Sequence, residues 1–269
     1  MNIQSLLTHE PAVRGAVFFG VLFLLAALEW YLPRRQLMRT RIERWPANIG
    51  LLVIGTLIVR VVAPGVTILV SAYCADHGFG LMHWLNVPQS VAVVLCVIAL
   101  DGIIYAQHRV MHHVPLLWRL HRVHHADTDF DVTTALRFHP AEIVFSLGIK
   151  LIAIGALGAP VVAVIVFEIV LSASAMFNHA NLALPLPLDR LLRLLIVTPD
   201  MHRVHHSPRQ HETNSNYGFF LSVWDRVFAS YVAQPGEPHP QMPIGLEYFR
   251  EPEDQSLARL LGQPLRRDV

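Results

Sequence analysis

The chain has little charge, one lysine and almost no cysteine. Only 15% of its 269 residues are charged and lysine occurs once, at Lys150, whereas a soluble domain carries about 25% charged residues. A net charge of +1 gives no electrostatic basis for binding nucleic acid. Cys74 and Cys96 both lie in apolar stretches, which favours packing residues over a disulfide or a metal pair. The composition therefore indicates a membrane protein.

Apolar segments long enough to cross a bilayer occur at residues 14–33, 48–74 and 88–107. A fourth apolar stretch, 143–177, is too long for one pass, and residues 155–160 (GALGAP) interrupt it, so we expect a helical hairpin. The first run shows no small-residue cleavage site, which predicts a helix that stays in the protein. The predicted fold is all-α and polytopic, with about three transmembrane helices plus the hairpin.

The distribution of arginine predicts the topology. The loop after the first predicted helix has one acid, Glu43, against five arginines: Arg34, Arg35, Arg39, Arg41 and Arg44. Positively charged loops are cytoplasmic, and the next loop, 75–87, has no lysine or arginine, as expected outside. The third helix then returns to the cytoplasm, and both ends of the hairpin lie on that side. Residues 108–142 and 178–269 are thus expected to form a cytoplasmic helical cap.

Two charged residues, Arg60 and Asp101, interrupt the apolar segments. Charges at membrane depth are candidates for function, but an ion pair between the two, or an arginine extended toward the membrane surface, explains them equally well. Lys150, in the hairpin, is expected to extend to the surface in the same way.

Histidine is abundant, with sixteen residues in the chain. Eight of them form one H-x3-H motif and two H-x2-H-H motifs, all on the predicted cytoplasmic face: His108 and His112; His121, His124 and His125; His202, His205 and His206. On a helix, spacings of three and four place side chains on one face. Neutral imidazole is a good ligand for iron, zinc, copper and nickel.

Eight imidazoles are too many for one ion and suit two ions that share a site. Burying so many without a metal would leave polar atoms unpaired at high cost, and the Glu-x-x-His pairs of soluble di-iron bundles are absent. His179, at the end of the hairpin, and His139, just before it, are further candidates. Four acids are candidate acceptors for the ring N–H groups, although an ion pair or helix cap accounts for each as well: Asp101, Asp127, Glu142 and Asp225.

Several motifs between about residues 90 and 265 resemble the fatty acid hydroxylase / sterol desaturase superfamily. They are DGIIYAQHR (101–109), LWRLHRVHH (117–125), TTALRFHP (133–140), NH (178–179), MHRVHH (201–206), NYG (216–218) and WDR (224–226). Order and spacing both agree with the family. The resemblance implies a membrane enzyme that holds two non-haem iron ions and uses O2 to hydroxylate or desaturate a lipid.

Carried over by position, the resemblance implies nine ligands: His108, His112, His121, His124, His125, His179, His202, His205 and His206. Some family members have another histidine four positions before the one matched by His179, where this chain has Ala175. This departure makes His139 the candidate for a tenth ligand. The implied boundaries are N-terminal helices and basic loop at 1–87, a catalytic domain at 88–232 and a cytoplasmic tail at 233–269.

The implied substrate is a sterol, a fatty acyl lipid or an alkylglycerol-like lipid that enters from the bilayer. No haem or flavin fingerprint is present, so electrons are expected from a separate ferredoxin, haem protein or reductase, and the arginines within 34–44 and 109–122 are candidate docking sites for an acidic carrier. Two alternatives remain. A histidine-rich metal-binding or transport protein would need ligands along a path through the bilayer, and a zinc hydrolase would use only three or four ligands.

Overall fold

The computed structural model describes residues 3–267, and for residues 3–9 only the backbone. Within this range the chain is helical and forms no strand, only two isolated bridges, Pro33–Leu182 and Ile196–Leu221. The α-helices are α1 (Ile3–Tyr31), α2 (Arg41–Val62), α3 (Val66–His77), α4 (Leu81–Trp84), α5 (Gln89–His113), α6 (Pro115–His125), α7 (Pro140–Leu157), α8 (Val161–Asn178), α9 (Leu186–Leu192), α10 (Pro199–His205), α11 (Gln210–Thr213), α12 (Val223–Val227) and α13 (Leu257–Gly262). Short 3-10 helices lie at Val132–Leu136, Pro252–Gln255 and Gln263–Leu265.

Five candidate membrane spans are long and apolar enough to cross a bilayer: Glu10–Tyr31, Arg41–Trp84, Gln89–His113, Pro140–Leu157 and Val161–Asn178. The all-α prediction is confirmed for the described residues. The hairpin is present as α7 and α8, because Gly158 ends α7 with a φ of +64° that glycine adopts at little cost. The second predicted helix is broken into α2 and α3 at residues 63–65, where Pro64 interrupts the backbone bonding.

Helix packing brings the histidine-bearing ends together. Gly55 of α2 lies against Ile143 near the start of α7, and Ser71 of α3 donates to the carbonyl of Ala159 just beyond its end. The broken second span and α7 therefore run side by side in one direction. α8 returns in the opposite direction and packs on α5 around an apolar core that includes Leu100 and Phe167. The start of α7 and the end of α8 consequently lie at the same end of the molecule.

The charges within the apolar segments do not pair as considered. Asp101 accepts hydrogen bonds from the backbone N–H of Phe220 and Leu221 and from the indole of Trp224, while Arg60 is exposed on α2. The Arg60–Asp101 ion pair is therefore not formed. Lys150 lies 3.4 Å from a carboxylate oxygen of Glu168 instead of extending freely to the surface.

The basic segment 34–44, which runs from the loop before α2 into the first turn of that helix, is largely bonded within the protein. Arg44, 1% exposed, forms ion pairs of 2.8 Å with Asp127 and 2.5 Å with Asp131. Arg34 bonds to Asp200 through two nitrogens, and Arg35 donates to the carbonyl of Met242 at 2.7 Å. This loop therefore ties α1 and α2 to the segments that follow α6 and begin α10.

Candidate metal centre

Nine of the ten histidines singled out in the sequence come together in two groups. Within each group the potential ligand atoms lie within 4.8 Å of one another. His112 is partly exposed and the other eight are buried. Group one consists of His108, His112, His121, His125 and His205, and group two consists of His124, His179, His202 and His206.

The two H-x2-H-H motifs each contribute to both groups. Neighbouring residues on a helix point about 100° apart, so His124 faces group two while His125 faces group one. The same divergence separates His205, in group one, from His206, in group two. The two groups touch, because the rings of His125 and His206 stack with centroids 4.6 Å apart. α5 completes group one, and the end of α8 completes group two.

The hydrogen bonds of group one leave unprotonated ring nitrogens that face each other. The Nδ1 atoms of His108 and His205 both lie 2.7 Å from a backbone carbonyl, of Tyr217 and Ser215 respectively. A carbonyl only accepts, so each Nδ1 carries the proton and each neutral ring keeps a lone pair on Nε2. Those two Nε2 atoms nevertheless lie 3.1 Å apart, and that of His121 lies 3.0 Å from His108. Lone pairs at this distance repel unless a cation lies between them.

Group two shows the same arrangement around His179. Its Nδ1 donates to the carbonyl of Ala175 at 2.7 Å, which leaves a lone pair on Nε2. This one atom lies 3.0, 3.1 and 3.2 Å from the Nε2 atoms of His124, His202 and His206. A single lone pair cannot accept three hydrogen bonds, so hydrogen bonding alone does not explain the convergence. The donor set fits a metal ion that prefers imidazole.

Burial keeps these rings neutral, which is the form that binds metal. Removal from water lowers the pKa of His179 to about 4 and that of His205 to about 3. The same cause lowers the pKa of His124 and His206 well below the usual value for histidine. At neutral pH none of these four imidazoles therefore carries a charge that would repel a cation.

One loop, residues 214–217, orients three rings of group one. Besides the two backbone carbonyls already described, the side-chain oxygen of Asn214 lies 3.3 Å from Nδ1 of His112. Asp225 holds this loop by accepting from the N–H groups of Tyr217 and Gly218 at 2.8 and 2.9 Å. Burial raises the pKa of this carboxyl to about 6. The sequence motif at 216–218 marked the loop but not its role.

Of the four acids considered as acceptors, only Glu142 contacts a ring of either group. Its carboxylate lies 2.8 Å from Nδ1 of His121. Asp225 acts through the loop, Asp101 binds residues 220–224, and Asp127 binds Arg44. Glu142 is therefore the carboxylate that orients a candidate ligand directly.

His139 lies outside both groups. It caps the start of α7, where its Nδ1 accepts from the N–H of Ala141 at 3.1 Å. Its Nε2 lies 3.2 Å from the carbonyl of Leu261, which only accepts. Both ring nitrogens are thus engaged with backbone. His113, the next residue after His112, is exposed and also lies outside the groups.

Aromatic side chains pack against the histidines from three sides. Phe138 stacks on His124 at 4.5 Å, and Trp118 packs on His112 and His125. Phe219 lies 5.0 Å from the His108 ring and 6.4 Å from the His202 ring. It therefore touches one ring of each group.

Comparison with known proteins finds a match over the part of the chain that contains all nine grouped histidines. Residues 93–230 match the profile of the fatty acid hydroxylase family. The ornithine lipid hydroxylase OlsE of Rhizobium tropici is 32% identical over 149 residues, which are 55% of this chain and 44% of that protein. The alkylglycerol monooxygenases of Danio rerio and Homo sapiens are 30% and 28% identical over 56% and 48% of this chain, and 33% and 28% of their own lengths. The match thus spans less than half of these relatives, and no solved structure matches the chain.

Proposed function

This chain belongs to the fatty acid hydroxylase family, and we propose that it is a membrane oxidoreductase that uses O2 and two non-haem iron ions to oxidise a lipid. The observation that carries the proposal is the convergence of bare imidazole nitrogens in two touching groups. We propose all nine grouped histidines as ligands and leave His139 out, because backbone atoms occupy both of its nitrogens.

The bound iron would supply the redox chemistry needed to break an unactivated C–H bond, which no side chain provides. The protein's own residues hold the imidazoles neutral and fixed. Buried acceptors at Glu142, Ala175 and the 214–217 loop set the tautomers of four rings, those of His121, His179, His108 and His205. For hydroxylation the balance is RH + O2 + 2 e⁻ + 2 H⁺ → ROH + H2O, so a separate electron donor is required. The names of the relatives favour hydroxylation over desaturation.

The lipid chain is proposed to reach the site beside Phe219. This ring touches a histidine of each group and packs against both large apolar clusters, one built on α5, α7 and α8 and the other on α1 and α8. It therefore lies where the hydrocarbon-facing helices meet the metal ligands. A fatty acyl or alkyl chain of a membrane lipid fits such an apolar approach.

We propose that the histidine groups lie on the cytoplasmic side. The arginine-rich loop at 34–44 is at the same end of the molecule, since Arg34 bonds to Asp200 beside His202. Positive loops mark the cytoplasmic face.

The test combines metal analysis with comparative lipid analysis of cells that contain or lack the gene. We expect two iron per chain and an oxidised lipid that disappears in His124→Ala and His205→Ala, one ligand from each group. His77→Ala, an exposed histidine on α3, is the matched control and should leave the product unchanged. An active protein with one zinc would refute the proposal, and bound metal without any lipid product would favour a metal-binding or transport protein.

A further inference from the structure

We propose that the surface around Trp118, in the segment that carries Arg109 and Arg119, is where an acidic one-electron carrier protein docks and delivers electrons. This inference rests on the proposed function and names the partner's chemistry and its site. It is carried by two independent features, a ring contact and a charge distribution.

The first feature is the position of Trp118 between solvent and the ligands. Eight of the nine grouped histidines are buried, and His112 is the exception. The Trp118 ring packs on His112 with centroids 4.9 Å apart and on His125 at 5.3 Å. Trp118 is itself partly exposed and lies on α6, outside the candidate spans. Its π system therefore joins the protein surface to two group-one ligands in direct contact.

The other partly exposed rings that touch the histidines are less suitable. Phe219 packs among the apolar helices, where a water-soluble carrier has no access. Phe138 adjoins Arg137, which is fully buried and bonded to the Val123 carbonyl and Gln255. That arginine presents no charge to a partner. Trp118 is followed directly on α6 by Arg119, which is partly exposed and forms no ion pair among the described residues.

The second feature is the distribution of acids and bases. Residues 102–126 contain no aspartate or glutamate. Arg109 is exposed and Arg119 partly exposed, and neither forms an ion pair within residues 10–267. In the other basic segment, by contrast, four of the five arginines lie within 4.0 Å of an internal acid, and the fifth, Arg39, donates to the carbonyl of Arg250. Of the two candidate docking segments in the sequence, the one around Trp118 therefore retains more unpaired charge for an acidic partner.

The electron balance follows from the carrier's chemistry. A reduced [2Fe–2S] protein gives up one electron and becomes oxidised, and the electron passes by way of the Trp118 ring and His112 or His125 to the iron that these ligands would hold, which is the acceptor. Two successive encounters supply the two electrons that lipid hydroxylation consumes.

The experiment uses the full chain in lipid nanodiscs and an acidic plant-type [2Fe–2S] ferredoxin as the probe. Its dissociation constant is measured at low and high salt, on protein with and without iron. Reduction of the iron-loaded protein by reduced ferredoxin is then followed anaerobically by stopped flow, without lipid substrate. Dithionite, a small reductant that needs no docking surface, is run in parallel.

We expect Arg119→Glu to weaken ferredoxin binding roughly fivefold or more at low salt, with the difference shrinking at high salt. Trp118→Leu should slow reduction by ferredoxin, leave dithionite reduction unchanged and keep the iron content. Trp118→Phe retains a ring and should fall between Leu and Trp. The matched controls Arg190→Glu and Trp84→Phe, both exposed residues elsewhere, should behave as the unmodified chain.

Equal ferredoxin-driven rates for Trp118→Leu and the unmodified chain would overturn the inference. So would equal slowing of the dithionite reaction, because Trp118 would then only support the ligands. If Arg119→Glu binds ferredoxin as tightly as the unmodified chain, the proposed docking surface is refuted. Failure of the proposed function is distinguishable, since it would appear as absent iron or absent O2-dependent turnover even with a small reductant.

Discussion

Glu142 offers a graded test of how the metal centre is held. Its carboxylate lies 2.8 Å from Nδ1 of His121, and its second oxygen has no hydrogen-bond partner among the described residues. Glu142→Gln therefore keeps an acceptor for the ring N–H but removes the negative charge. Glu142→Leu removes both and leaves the His121 N–H buried without a partner. We expect metal to be held progressively less tightly from Glu to Gln to Leu.

The magnitude follows from the contact. Loss of a partner that orients a ligating histidine weakens metal binding by about 10- to 100-fold, which corresponds to about 1.4–2.7 kcal/mol. A buried N–H left without an acceptor costs a comparable amount, about 1–3 kcal/mol. We therefore expect Glu142→Leu to fall in the upper part of the 10- to 100-fold range and Glu142→Gln in the lower part.

Metal retained after dialysis against increasing chelator concentrations, measured by elemental analysis, provides the assay. Glu253→Gln, an exposed acid in the 3-10 helix at Pro252–Gln255, is the control and should titrate as the unmodified chain. If Glu142→Leu retains metal as tightly as the control, the carboxylate does not support the centre and the reasoning from the His121 contact is refuted.

Two further predictions concern stability. Arg44→Met leaves two aspartates buried without their cation and should lower the free energy of unfolding by about 3–5 kcal/mol. The loss should appear as a lower thermal midpoint in detergent. An equal shift in the exposed control Arg60→Met would contradict this. The metal-free protein should lose stability as pH falls below about 6.5, the pKa of histidine in an unfolded chain. In the folded protein the pKa values of His179 and His205 are about 4 and about 3. The unfolded chain therefore takes up protons first, and acid favours unfolding. A thermal midpoint at pH 5 equal to or above that at pH 7.5 would disprove the second prediction.

Helix positions followed from the sequence because each apolar run has a local end signal. Gly158 and Pro160 separate α7 from α8, and Pro64 with Gly65 carries a similar signal between α2 and α3. For His139 the sequence also indicates a helix cap as an alternative to a metal ligand, since a polar residue before a proline is typical of a helix start. Its role as a cap of α7 required no metal.

The division of the ligands into two groups could not be predicted from the sequence. It depends on where α5 and α8 end relative to α6 and α10, and nothing local in the sequence specifies that placement. The acceptors at Ser215 and Tyr217 are backbone carbonyls, which every residue possesses. Only the folded loop shows which of them face a histidine.

Because the ligands come from distant parts of the chain, the order of synthesis constrains how the protein matures. Group one needs His205 and group two needs His206, whereas the last candidate span ends at Asn178. The 214–217 loop that orients group one emerges later still. All five candidate spans are therefore made before either group can close, so under the proposed function metal would be loaded after membrane insertion, and a chain whose synthesis stopped before residue 205 would complete neither group.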